Sequence, residues 1–168
     1  KVLWVVNTVA RCQALARSLG ALCYHSRFKL EDRNARHTDI IEAFQSGKEA
    51  ILAITTQVCE MSLDLDADVL ISETEPITAM IQRMGRCNRH ASPGSGKLGE
   101  VLFYRAEDDL PYSAEDLTGS SDFTSALTGR TVSQALVEEL LEKLGPSELE
   151  PERYMAFLEN GPWAVSRE

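Results

Sequence analysis

The sequence predicts an α/β fold, an open parallel sheet flanked by helices on both faces, with a mostly helical C-terminal extension. Three observations predict it. Short continuous apolar runs of strand length recur through the first 105 residues, stretches of helical apolar spacing stand between them, and the order is strand, helix, strand, helix. Continuous apolar runs suit strands buried on both faces, and their alternation with helices is the pattern of a parallel sheet.

Val2-Leu3-Trp4-Val5-Val6 is the first strand. Val9, Cys12, Leu15, Ala16 and Leu19 then recur at helical spacing, and Gly20 is placed to stop that helix. Residues 21–24 form a second apolar run. A second helix is expected to start near Glu31 or Asp32, to bury Ile40, Ile41 and Phe44, and to end at Gly47. Further strands are expected at 50–54, 69–72 and 101–104, with a helix over 77–89. From 107 to 130 the chain turns polar and rich in Ser, Thr, Gly and Asp, so 106–131 reads as a linker or long loop. Two amphipathic helices should follow in a 132–168 extension. Val132, Leu136, Leu140 and Leu144 line the first, which Gly145-Pro146 ends, and the second covers roughly 152–158.

The chain has 168 residues, 43% of them apolar, and a net charge of −9. Residues 1–105 carry 13 basic and 12 acidic side chains, whereas 106–168 carry 4 and 14. A neutral domain is a poor autonomous nucleic-acid binder, because non-specific affinity comes mainly from neutralised phosphates. Any such contact must be local or shared with another domain. No apolar run is long enough for a membrane span. The four cysteines, Cys12, Cys23, Cys59 and Cys87, form no CxxC pair, which fits a reducing cytoplasm better than a zinc ribbon or disulfide framework. The chain begins with Lys1 directly before a strand, and is expected to be a piece of a longer polypeptide.

Two apparent motifs are decoys. Gly94-Ser95-Gly96-Lys97 lacks the earlier Gly and the following Ser or Thr of a phosphate-binding loop. Asp64, Asp66, Asp68 and Glu75 are spaced like a calcium loop, but Val69 stands where that loop needs Gly. Three histidines leave little for a multi-His metal centre.

The chemistry lies in four segments. In 77–90, Ile77, Met80, Ile81 and Met84 form one helical stripe, and Gln82, Arg86 and Arg89 form another on the opposite side. A row of fixed guanidiniums suits a polyphosphate that gains charge during transfer. A solvated basic face is the plainer alternative, but this segment alone carries +3, and Gly85 interrupts it. Thr55-Thr56-Gln57 ends a buried strand and leads to Ser62-Leu63-Asp64, although Thr55 and Ser62 would equally cap turns. Asn7-Thr8 ends the first strand, where a simple N-cap would also explain it. His25-Ser26-Arg27-Phe28 ends the second with a cation, an aromatic and a hydroxyl. All four are expected to emerge on one edge of the sheet, where ligands of open α/β sheets bind.

In this order the segments resemble the second RecA-like domain of a superfamily 2 helicase over residues 1 to about 105. The run Thr56-Gln57-Val58-x-Glu60-x-Ser62-Leu63-Asp64, followed by Gln82-Arg83-x-Gly85-Arg86-x-x-Arg89, resembles more closely the CRISPR-associated helicase-nuclease of type I interference systems. The resemblance implies that Arg86 and Arg89 are arginine fingers for the γ-phosphate of ATP and that Gln82 orders the attacking water or the phosphate. Asp64 and Ser62 would lie near the ribose, and Arg83 would link the nucleotide motif to adjoining loops. Thr55, Thr56, Asn7, Thr8 and Arg27 would line a single-stranded DNA track.

ATP and Mg²⁺ would be held mainly by a first RecA-like domain, since the chain has no Walker A loop or Asp-Glu box. That domain, a nuclease domain, single-stranded DNA and an RNA-guided CRISPR surveillance complex are the implied partners, and the piece alone is expected to be inactive. Gln57 and Ser62 depart from the Asp and Gly common in the wider superfamily. Another superfamily 2 DNA or RNA helicase domain, or a non-catalytic α/β binding module, are the alternatives.

Overall fold

The computed structural model describes residues 1–47, 50–90 and 97–145. Its centre is a five-stranded, all-parallel sheet in the order β2-β3-β1-β4-β5, formed by β1 (Val2–Val5), β2 (Leu22–Tyr24), β3 (Leu52–Thr55), β4 (Val69–Glu73) and β5 (Glu100–Tyr104). β1 lies in the middle, with Val2 opposite both Leu52 and Val69, which is why its sequence is apolar without interruption. Leu3 and Val5 face one core with Tyr24, Ile40, Phe44 and Leu70. Val6 faces the other with Cys12, Ala16 and Ile54, and Trp4 packs against it.

α1 (Val9–Leu19) covers that second face. Thr8 caps it by accepting from Arg11 N at 3.3 Å, and Gly20 ends it at φ 62°, a conformation that costs glycine little. α2 (Leu30–Gln45), α3 (Val58–Ser62) and α4 (Ile77–Met84) lie on the first face. No helix among the described residues is long and apolar enough to cross a membrane.

Two expectations need correction. The helix expected over 77–89 stops at Met84, so Arg86 and Arg89 do not extend its polar stripe. Past Gly85 the chain is captured by the segment before β4: Ala67 N donates to Arg86 O at 2.9 Å and Asn88 N to Ala67 O at 2.8 Å. Asn88 takes φ 53°, and the Asp66 carboxylate accepts from Arg89 N at 2.7 Å. These tertiary bonds replace the helical ones. Secondly, the 106–131 segment contains α5 (Ser120–Leu127), whose Phe123 and Leu127 pack with Ile77, Met80 and Leu140. α6 (Gln134–Leu144) completes that cluster, capped by Ser133, with Val132 left ahead of the helix. The helix expected at 152–158 and the turn at 94–96 fall outside the described residues.

Candidate functional site

The strand order changes direction at β1: its connection leads towards β2, while that of β4 leads towards β5. The crevice between the carboxyl ends of β1 and β4 is therefore the switch point of the sheet. It is filled by a side chain. Arg83 is completely buried, and its guanidinium reaches four side chains from α3, β4 and two loops. Nε donates to Glu60 at 2.9 Å, Nη1 to Ser72 Oγ at 2.9 Å and to Asn7 Oδ1 at 3.2 Å, and Nη2 pairs with Glu75. Glu73, also buried, accepts from Asn7 N at 2.6 Å and from Arg11 at 3.0 Å. Tyr112, from the segment expected as a linker, closes the network by donating to Glu75 at 3.1 Å and accepting from Gln57 at 3.3 Å.

Two guanidiniums thus meet three carboxylates in an enclosed space. Burial, aided by the neighbouring Glu60 and Glu73 and opposed by Arg83, pushes the Glu75 carboxyl up to about 8. Arg11 is shared further with Asp108 at 2.9 Å, so these carboxylates outnumber the guanidiniums that face them. Burial likewise raises the Tyr112 hydroxyl to about 12, keeping it a donor.

The expected site residues divide into three groups. Asn7 has its backbone N–H and C=O and both side-chain polar atoms engaged within the domain, by Glu73, Gln57, Arg83 and the Thr74 carbonyl. Thr55 and Thr56 are buried as well, and the Thr8 hydroxyl is the α1 cap. As placed, Asn7 ties loops together, the Thr55 Oγ1 has no hydrogen-bond partner among the described residues, none of Asn7, Thr55 and Thr56 offers exposed surface to a strand, and Arg83 is too deeply enclosed to touch a nucleotide. Arg27, at the end of β2, is exposed.

The third group lies elsewhere. Because α4 runs back against β4, the turn carrying Arg86 and Arg89 sits beside residues 66–67, at the amino end of β4. The expectation that all four segments share one edge is corrected accordingly. Arg89 is exposed and pairs with exposed Asp64 at 3.4 Å. Arg86, half-buried, donates through Nη2 to the Glu60 carbonyl, and its buried Nε has no acceptor among the described residues. Gln82 is exposed on α4. Ser62 ends α3; its side chain lies outside the described set.

Glu73, Glu75 and Tyr112 were missed by sequence reading. Their available signal was a set of acids flanking buried strands near an arginine three residues from a core methionine. Glu75 serves this network, not a calcium loop. Among the described residues no three His, Cys, Asp or Glu side chains are placed to hold a metal ion. The cluster around Arg86 and Arg89 has donors suited to a polyphosphate, with one committed to nothing.

Comparison with known proteins adds an independent line. A family model described as "CRISPR-associated nuclease/helicase Cas3, C-terminal" matches residues 1–92, more than half of the chain. A Myxococcus xanthus protein named for the same nuclease/helicase family is 44% identical over 154 residues, covering 87% of this chain and 20% of its own length. The CRISPR-associated nuclease/helicase Cas3 of Streptococcus thermophilus is 40% identical over 112 residues, 60% of this chain and 12% of its own. The chain therefore spans a fifth or less of these relatives. The crystal structure of T. fusca Cas3-ATP superposes with a TM-score of 0.65 at 26% identity, covering 94% of this chain and 22% of that one.

Proposed function

The chain belongs to the CRISPR-associated nuclease/helicase Cas3 C-terminal family, and on that premise we propose that it is the second RecA-like half of an ATP-driven single-stranded DNA translocase. The reading is carried by the turn after α4, which sets exposed Arg89 against Asp64 and leaves Arg86 partly uncommitted. ATP and Mg²⁺ are held mainly by a first RecA-like domain elsewhere in the full-length protein, the metal and phosphates supplying the leaving-group chemistry. Arg86 and Arg89 neutralise charge developing on the terminal phosphate, Gln82 orients the attacking water or the phosphate, and Asp64 with Ser62 faces the ribose. The carboxyl edge, with Arg27 exposed and Thr8 partly so, faces the DNA, and the buried Thr56 lies beneath it. A nuclease domain and an RNA-guided surveillance complex complete the cytoplasmic machine, in which the isolated piece is inactive.

Arg83 joins the two edges. It holds Glu60, whose carbonyl accepts from Arg86, and with another nitrogen it holds Asn7, at the carboxyl end of β1. A displacement of Arg86 on ATP binding or hydrolysis is thereby transmitted along one guanidinium to the strand side. Arg83 and Asn7 are positioning residues in this scheme.

The test is Arg86→Ala in the full-length protein. Arginine fingers contribute on the order of 10³–10⁵ in rate, so DNA-stimulated ATP turnover should fall to background while ATP binding persists. Near-normal turnover would refute the assignment. Stimulation by RNA in place of DNA would favour another superfamily 2 helicase.

A further inference from the structure

The sheet face covered by α1 carries a pair of thiols that the proposed translocase does not use. Cys12, in the first turn of α1, and Cys23, on edge strand β2, place their sulfurs 3.7 Å apart. The two residues are not equivalent. Cys12 is fully buried, and its thiol lies 3.4 Å from the Ile54 carbonyl, a natural acceptor for its proton. Cys23 is only half-buried and borders an open hollow of about 410 Å³, lined also by Arg17, Arg36, Gln13, His25 and Phe28. The hollow therefore joins a reachable sulfur to two guanidiniums, the environment in which thiolates form and react.

We propose that Cys12 and Cys23 form a reversible disulfide, with Cys23 as the thiolate that reacts first with a hydroperoxide. The contact with Cys12 and the nearby Arg36 and Arg17 bring the Cys23 thiol down to about 7, while the same contact and burial raise that of Cys12, whose proton has the Ile54 carbonyl as an acceptor. In the first step the Cys23 sulfur takes the terminal peroxide oxygen as the O–O bond breaks, giving a sulfenic acid and water or an alcohol. In the second, the Cys12 sulfur attacks that sulfenic sulfur, the S–O bond breaks, and the departing hydroxide leaves as water with the Cys12 proton. The two sulfurs together lose the two electrons that the peroxide gains. Closing 3.7 Å to a bond of about 2.05 Å asks each sulfur to move by less than about 1 Å. Cys59 and Cys87 pack with the core on the opposite face of the sheet, so neither competes for this pairing.

The bond would pin the first turn of α1 to β2, between the cap at Thr8 and the exposed Arg27. This inference does not depend on the translocase reading, because it concerns thiol chemistry and is measured without ATP or DNA.

The experiment treats the full-length protein with dilute hydrogen peroxide, blocks free thiols, and maps non-reduced tryptic peptides by mass spectrometry. Residues 12–17 and 18–27 should appear joined, two hydrogens lighter than their sum, and should separate on treatment with dithiothreitol. Before oxidation, iodoacetamide at pH 7 should modify Cys23 about tenfold or more faster than Cys87, in line with its larger thiolate fraction. Cys12→Ala should stop the reaction at a Cys23 sulfenic acid that dimedone traps. Oxidation of Cys23 in the unaltered protein with no joined peptide would overturn the proposal. So would modification of Cys87 as fast as Cys23.

Discussion

Replacing Glu75 by Gln isolates the electrostatics of the switch point. Glu75 is wholly buried; one oxygen is shared by Tyr112 and Arg83 and the other has no partner among the described residues. A protonated Glu and a Gln present the same pattern there, one acceptor and one donor end. The folded carboxyl titrates at about 8 against an ordinary 4.5, so the native state binds a proton that the unfolded chain releases. The stabilising contribution is therefore fully present below the ordinary value and is lost as pH rises through about 8. Each unit within that window removes about 1.4 kcal/mol, roughly 5 kcal/mol in all, a large share of a typical domain's stability. Hydrogen exchange of peptides from β4 and α4 in the full-length protein, corrected for intrinsic rates, reads the local opening free energy. It should fall between pH 5 and 8 in the unaltered protein and stay flat in Glu75→Gln, with near-equal values at pH 5. A flat profile in the unaltered protein, or an unchanged slope in the variant, would refute the reasoning.

Arg83→Met should destabilise the domain by about 3–5 kcal/mol, the usual result of stripping one partner from a buried ion pair, and denaturant unfolding would measure it. Arg83→Lys should rescue little, because an ammonium cannot reach Glu60, Asn7 and Glu75 from one position; near-complete rescue would mean that charge alone matters. Asp66→Ala removes the acceptor for Arg89 N and His90 N. It should lower ATP turnover by up to about 10²-fold through misplacement of Arg89, with little change in melting temperature. Unaltered turnover would show that the turn holds its shape without Asp66.

Much of the architecture was legible from local chemistry. Every strand coincides with an apolar run, and in the inner strands β3, β1 and β4 packing on both faces leaves no room for polar alternation. Both ends of α1 follow from Thr8 and Gly20, whose preferences are intrinsic to the residue. Two errors had one source. Helical spacing continues from Ile77 to Arg89, so periodicity alone placed both arginines on the helix, and strand order alone placed every motif at the carboxyl edge. Nothing local announced that Ala67 and Asp66 would bond to Arg86, Asn88 and Arg89.

By itself the sequence determined the apolar strands, α1, α2, α6 and the start of α4, and offered Gln82, Arg86, Arg89 and Asp64 as candidates, because propensity, capping and side-chain chemistry act over a few residues. Only the tertiary structure decided which arginine is enclosed and which remains available, and on which edge each motif stands. Burial of Arg83 depends on Glu60, Glu75, Ser72 and Asn7 arriving from separate parts of the chain, and a guanidinium leaves water only where such partners converge.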